Sequence, residues 1–160
     1  MDLQTEQTLD EPYALVLKAI LAERGSWLPG LLRDAADRLV TDLSVSLGGV
    51  RLARSIAVEV SPPTIYPGRC EVFVAWKAAK EAAFFPELGG FFQLGAASPT
   101  STRLTFEASY EPPARALGHL TDRALMHRVA ESSVRDFVAR TARALASRTE
   151  EIRSRAESTS

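Results

Sequence analysis

The chain has little cysteine and histidine, and this shortage excludes several kinds of site. Cys70 is the only cysteine among the 160 residues, so an internal disulfide and a multi-cysteine metal site are both excluded. The two histidines, His119 and His127, do not have the four-residue spacing that brings two imidazoles onto one helical face. We therefore expect neither a metal nor a cofactor, and we expect Cys70 to be chemically inert.

The sequence also lacks a strong net charge and a long hydrophobic run. Its formal charge is −1, so no long-range field draws it to nucleic acid or to an anionic membrane. No apolar run approaches the roughly 18 residues that a membrane span needs, and the acidic start of the chain lacks the basic region of a signal peptide. These absences predict a soluble, cytoplasmic protein with no nucleic-acid partner and no stable membrane insertion.

Motifs for phosphate binding and nucleophilic catalysis are missing as well. The pairs Gly48-Gly49 and Gly89-Gly90 lack the spacing of phosphate-binding loops. No Gly-x-Ser-x-Gly elbow is present. The sequence therefore offers no ready signature of a nucleotide-dependent enzyme or of a serine hydrolase.

The composition is that of an ordinary globular domain, with 46% hydrophobic and 24% charged residues. We predict a single domain over residues 13–149, between polar, flexible termini at residues 1–12 and 150–160. From residue 42 onward, apolar and polar residues alternate, as in strands with one buried face. The short loops between these strands predict an antiparallel meander.

The most informative pattern is a strand followed by a long helix at the end of the chain. Over residues 102–110, apolar side chains alternate with polar ones, and Pro112-Pro113 then stops the strand. A helix follows, whose apolar residues from Met126 to Leu145 recur at steps of three and four. Such a helix must bury its apolar side on the sheet, and the space between the two is the predicted place for a ligand.

Residues 102–110, Glu111-Pro112-Pro113 and residues 122–137 together resemble the C-terminal signature of actinobacterial members of the SRPBCC superfamily. That superfamily includes polyketide cyclases, START lipid-transfer domains and the birch-pollen allergen family. The resemblance covers about residues 50–145. It implies an α+β helix-grip fold, in which a curved antiparallel sheet wraps the last helix around an apolar cavity. It does not imply one chemistry, because the superfamily hosts carriers, cyclases and chaperone-binding modules.

Two earlier segments are harder to assign. The composition of residues 13–20 permits a helix, but the resemblance implies a first strand there, and we expect the strand. Over residues 26–40, Ser26 looks like an N-cap before an apolar stripe that runs from Leu28 to Val40, so we expect a helix.

The candidate ligand site combines the inner face of the sheet with the last helix. Its members are Arg54, Val58, Val74, Trp76, Phe92, Phe106, Tyr110, Met126, Ala130, Ser133 and Phe137. Large apolar side chains usually fill a core, so a packed core is the alternative to a cavity. The implied helix-grip fold favours the cavity, because apolar pockets suit small-molecule ligands.

Three polar residues in this region have open roles. Alternation places Arg54 on the same face as apolar neighbours, so its guanidinium must pair with an acid, turn outward at a bulge, or meet a polar group of the ligand. Our hypothesis is that it binds a carboxylate or an enolate-like oxygen. The hydroxyl of Ser133 either bonds to a carbonyl one turn earlier or lines the pocket, and that of Tyr110 points into the cavity or into a loop.

Three functions remain open at this stage. The first is the binding of a hydrophobic or amphipathic small molecule, such as a lipid or a polyketide-like compound. The second is a cyclase or aromatase, for which Arg54, Glu107, Tyr110 and His127 are the available acid–base candidates. The third is a protein-interaction module without a ligand, which uses an uncovered sheet edge or a helix face to hold another protein or a second copy of itself as a homodimer.

Overall fold

The computed structural model describes residues 2–22, 25–30, 32–33, 39–47, 50–78, 87–111 and 123–159. Its elements are β1 (Asp2–Leu9), α1 (Tyr13–Ala22), β2 (Leu32–Arg33), β3 (Leu39–Leu47), β4 (Val50–Val60), β5 (Thr64–Tyr66), β6 (Arg69–Ala78), β7 (Glu87–Ser98), β8 (Ser101–Glu111) and α2 (Arg123–Ser158). The strands form one antiparallel sheet in the order β1-β8-β7-β6-β4-β3-β2, and β5 pairs with the start of β6.

The sheet is curved around α2. This helix contacts β1 at one edge of the sheet and also β3 near the opposite edge. The helix approaches β1 and β3 more closely than it approaches β6 and β7, which lie between them in the sheet, so the inner face is concave toward α2. The predicted α+β helix-grip architecture is thereby confirmed.

Strand β8 shows why the sequence pattern forms this sheet. Leu104, Phe106 and Tyr110 on its inner side are buried, whereas Arg103 and Glu107 on its outer side are exposed. The same period of two runs through β6 and β7. In the predicted meander, Leu47 pairs with Val50, as expected for a hairpin between β3 and β4. Alternation thus selects the buried face, and α2 covers it.

The start of the chain differs from the prediction. Residues 2–9 are not a flexible tail but the edge strand β1, which pairs with β8 along its whole length. Its inward side chains Leu3 and Leu9 are buried, while the outer residues stay polar because they face solvent. Residues 13–20 are not a strand but part of α1, where Val16, Ala19 and Ile20 share one buried helical face.

The predicted helix over residues 26–40 is also wrong where the structure describes it. Trp27 and Leu28 are buried within a turn, and strands occupy Leu32–Arg33 and Leu39–Leu47. Val40 pairs with Leu32 on one side and with Ala57 on the other. Pairing with the strands on both sides therefore overrides the local helical spacing. Residues 31 and 34–38 of this prediction lie outside the described residues.

The end of the chain is not the predicted flexible tail over residues 150–160, because α2 continues to Ser158. The guanidinium of Arg153 contacts the carboxylates of Glu11 and Glu150. The Glu11 contact is the main cause of a raised pKa at Arg153. In turn, the Thr102 hydroxyl donates to the backbone oxygen of Glu11 at 2.7 Å. The last turns of α2 are thus anchored to the corner between β1 and α1.

Candidate functional site

One row of buried side chains crosses four strands on the inner face of the sheet. Val58 of β4 pairs with Trp76 of β6, which pairs with Leu88 of β7, which pairs with Tyr110 of β8. All four are buried. We call this set the inner row. It lies where β6 and β8 end and where β7 begins, so it marks the end of the inner face on these three strands.

Behind the inner row, aromatic rings from the sheet pack against α2. Phe137 of α2 meets Trp76 with ring centroids 5.0 Å apart and Phe92 at 5.9 Å. Phe92 in turn meets Phe106 at 4.4 Å. Four predicted site residues are thereby brought together, and they contact one another. This part of the interface is a packed core.

Trp27 belongs to the same aromatic cluster, although it is not among the predicted site residues. Its ring meets Phe92 edge-on, with centroids 5.5 Å apart, and it is buried. The available signal was a large aromatic residue between Gly25 and Pro29, two residues typical of turns. A turn that buries a tryptophan must pack against the core, which the predicted helix obscured.

A hydrogen-bonded polar pair joins the inner row to α2. The Tyr110 hydroxyl lies 3.2 Å from Nδ1 of His127, and the imidazole tautomer decides which of the two donates. Tyr110 is 2% exposed, whereas His127 is half-buried. The pair therefore connects a buried phenol to a partly solvated imidazole, an arrangement that can move a proton.

The indole of Trp76 adds a second polar group. Its Nε1 atom is buried and has no hydrogen-bond partner among the described residues. A buried donor without an acceptor costs about 1–3 kcal/mol, and such groups are uncommon in folded proteins. The unpaired state of the Trp76 donor could not be predicted from the sequence, which does not show whether an indole has an acceptor nearby.

The hydroxyls on the buried side of α2 bond to the helix itself. Ser133 donates to the carbonyl oxygen of Val129 at 2.8 Å, and Thr141 donates to that of Phe137 at 2.8 Å. Of the two roles considered for Ser133, the structure shows the backbone bond. Ala130 and Ser133 are small and buried, and the neighbouring Val129 and Val134 are buried as well.

The remaining predicted residues are placed only in part. Val74 is fully buried on β6. The backbone of Arg54 lies in β4 opposite Leu43, and that of Met126 lies in α2, but both side chains fall outside the described residues. The roles that we predicted for them are therefore still predictions.

Cys70 lies at the start of β6, away from the inner row, and is fully buried. Burial raises the pKa of its thiol, and the charge of Glu71 adds to the effect. Tyr13 is close enough to feel the Cys70 charge, and burial is the main cause of its own raised pKa. Because only the thiolate is a good nucleophile, this environment disfavours reaction at Cys70.

Two negative observations concern the described part of the chain. Within it, no three His, Cys, Asp or Glu side chains come together in a way that could hold a metal ion. Neither of the two helices described is both long enough and apolar enough to cross a bilayer.

Comparison with known proteins identifies the fold but not the activity. No protein-family model matches the sequence, and no curated protein matches it significantly. Solved structures do match. A conserved protein from Geobacillus kaustophilus is 16% identical with a TM-score of 0.58, and the match covers 92% of this chain and 96% of that one.

Two further solved structures match this chain with similar sequence identity and coverage, and with slightly lower TM-scores. A protein from Thermus thermophilus is 15% identical with a TM-score of 0.51, over 95% of this chain and 99% of that one. The Zhui aromatase/cyclase from Streptomyces sp. R1128 is 16% identical with a TM-score of 0.51, over 94% and 93% respectively. This chain has the helix-grip fold. At these identities the likeness concerns the fold alone, since one fold hosts many functions.

Within the helix-grip fold, the polar groups gather at one end. Tyr110 is close to the end of β8, and His127 lies near the start of α2. Trp76 belongs to the same inner row as Tyr110. The aromatic cluster around Phe137 lies further along α2. Trp76 belongs to both groups, because its ring also meets Phe137, so the packed aromatic cluster and the hydrogen-bonding groups adjoin each other.

Proposed function

We propose that this chain binds a hydrophobic or amphipathic small molecule between the inner row and the N-terminal part of α2. The observation that carries the proposal is the curvature of the sheet, which brings strands near both of its edges onto α2. A sheet wrapped in this way shields the space beneath the helix from water. Its inner face supplies apolar surface, and the Tyr110–His127 pair supplies a polar end.

The side chains of α2 indicate where the guest fits. From His127 to Phe137 the helix rises about 15 Å, at 1.5 Å per residue. Along this stretch the buried side chains of Ala130 and Ser133 are small, whereas Phe137 fills its surroundings with rings. The guest would therefore lie against Ala130 and Ser133, with Phe137 closing the inner end.

Apolar contact would supply most of the affinity. At about 25 cal/mol per Å², burying about 300 Å² of apolar ligand surface gives about 7–8 kcal/mol before the costs of association. Those costs take several kcal/mol, so polar contacts would decide which ligands bind usefully. Fatty acyl groups, polyketide-like compounds and isoprenoids have suitable apolar bodies.

Arg54 is our candidate for one of these polar contacts. It lies on β4 four residues before Val58, and therefore at the same alternation as the inner row. We assign it the binding of a carboxylate or an enolate-like oxygen of the ligand. An Arg54→Leu variant that kept its fold and its full ligand affinity would show that Arg54 does not bind the ligand.

The binding function is tested by incubating the purified protein with a total lipid extract and recording native mass spectra. We expect bound species on the wild-type protein and on Ala156→Leu, which changes an exposed alanine of the same helix. We expect none on Ala130→Leu, because the added atoms occupy the proposed space. Circular dichroism checks that both variants fold. Wild-type protein that retains nothing would refute the proposal, as would a folded Ala130→Leu that retains the same species.

A second candidate function, a cyclase or aromatase, rests on the Tyr110–His127 hydrogen bond. A buried phenol bonded to an imidazole can supply or remove a proton next to a folded polyketide chain. The test is product analysis after incubation with a poly-β-ketone thioester. Products above the spontaneous background that disappear in both His127→Gln and Tyr110→Phe would support this function. A product profile equal to the background would reject it.

A further inference from the structure

The indole N–H of Trp76 is a buried donor without an acceptor among the residues that the structure describes. The Trp76 side chain is only 2% exposed. Other buried hydroxyls differ in this respect: those of Thr102 and Ser133 donate to Glu11 and Val129, whereas that of Tyr13 has no partner within the described part of the chain. An indole can only donate, so an oxygen or nitrogen acceptor has to come from elsewhere.

The surroundings of the indole restrict the charge of that acceptor. Trp76 lies in the inner row between Val58 and Leu88. Its ring stacks on Phe106 at an angle of 12° and meets Phe137 edge-on. All four neighbours are apolar. A carboxylate placed there would lose its hydration and gain one hydrogen bond, which is strongly unfavourable.

We infer that Trp76 determines ligand specificity by donating its indole N–H to an uncharged carbonyl oxygen of the bound molecule. This inference rests on the proposed ligand-binding function and narrows it to ketones, esters and related compounds. A carbonyl oxygen carries accessible lone pairs and no charge, so it satisfies the donor without the cost of burying an ion. A pure hydrocarbon would fit the same space but would leave the donor unmatched.

Two probes with the same bicyclic carbon skeleton distinguish a ligand that has a carbonyl group from a pure hydrocarbon. 1-Tetralone has one carbonyl group, and tetralin has none. The chain contains only two tryptophans, so a ¹⁵N-labelled sample gives two indole N–H signals, and Trp76→Phe assigns them. We expect 1-tetralone to move the Trp76 indole proton downfield, and tetralin to bind without that shift.

Affinities provide the second readout. One neutral hydrogen bond contributes about 0.5–1.5 kcal/mol, so Trp76→Phe should weaken 1-tetralone binding about two- to tenfold and leave tetralin binding unchanged. Trp27→Phe is the matched control and should leave the preference for 1-tetralone intact, because Trp27 contacts Phe92 and lies outside the inner row.

The outcomes distinguish this inference from the function on which it rests. If both probes bind and the Trp76 signal does not move with 1-tetralone, the specificity is refuted and the binding function stands. A Trp76 signal that is already downfield in the free protein, with a cross-peak to water, also refutes it, because a bound water then holds the donor. If neither probe binds while the lipid extract also leaves no bound species, both proposals fail.

Discussion

A single methyl group added at Gly90 should disturb the sheet where β7 pairs with β8. Gly90 pairs with Ala108 on the buried side of β7. A Cβ atom built there would lie 2.6 Å from the backbone oxygen of Glu107, 2.8 Å from the Ala108 Cβ and 2.8 Å from Cζ of Phe106. The first two atoms cannot rotate away, so the strands must separate locally.

We expect Gly90→Ala to lower the free energy of unfolding by about 1–2 kcal/mol. Overpacking costs about 1–3 kcal/mol, and replacing glycine returns about 0.4–1 kcal/mol through the unfolded chain. With a typical urea dependence of about 2 kcal/mol per M, the midpoint of urea unfolding should fall by about 0.5–1 M.

Gly95→Ala is the matched control for this experiment. It lies on the same strand, and its added Cβ would be 3.4 Å from the nearest atom, the backbone oxygen of Gly68. The midpoint of its urea unfolding should equal that of the wild-type protein or be slightly higher. If Gly90→Ala unfolds at the same urea concentration as Gly95→Ala, the close approach of β7 and β8 does not limit stability, and the reasoning is wrong.

Three further predictions concern other parts of the fold. Phe137→Ala should cost about 3–5 kcal/mol in urea unfolding, because it removes a buried ring from the aromatic cluster; a loss below that of Gly90→Ala would contradict this. The pKa of the Cys70 thiol is raised by burial, so the folded state holds its proton more tightly than the unfolded state. The contribution of Cys70 to the free energy of unfolding is therefore fully present below the ordinary thiol pKa of 9.0 and is lost as the pH rises above it. In urea titrations at different pH, the stability of Cys70→Ala should fall less steeply over this range than that of the wild-type protein. Equal slopes for the two proteins would contradict this. Glu11→Gln should speed amide hydrogen exchange in the last turns of α2, because it removes a charge that Arg153 contacts; unchanged exchange there would show that the ion pair does not anchor the helix.

Secondary structure is predicted best from the sequence where an element has one clearly buried side. Strand β8 and helix α2 each carry a regular apolar pattern, and both form as predicted. Residues 13–20 were assigned wrongly because the family resemblance was given more weight than their composition. Val16, Ala19 and Ile20 have helical spacing, and that local signal was correct.

The other errors share a physical cause, which is that strand pairing is not visible locally. The polar sequence of β1 looks like a tail, yet its backbone completes the edge of the sheet beside β8. The segment around Val40 has helical spacing, but the strand pairs on both of its sides determine its structure. In the candidate site, residue types predicted which side chains gather, while the Tyr110–His127 bond and the lone Trp76 donor required coordinates.

The position of β1 has a consequence for how the protein is made. Asp2 and Ser109, joined by a hydrogen bond between their side chains, are 107 residues apart in the chain. During translation at about 5–20 residues per second, the first strand leaves the ribosome several seconds before its partner exists. Until then its backbone groups and the apolar side chains of the growing sheet are open to chaperones and to neighbouring nascent chains.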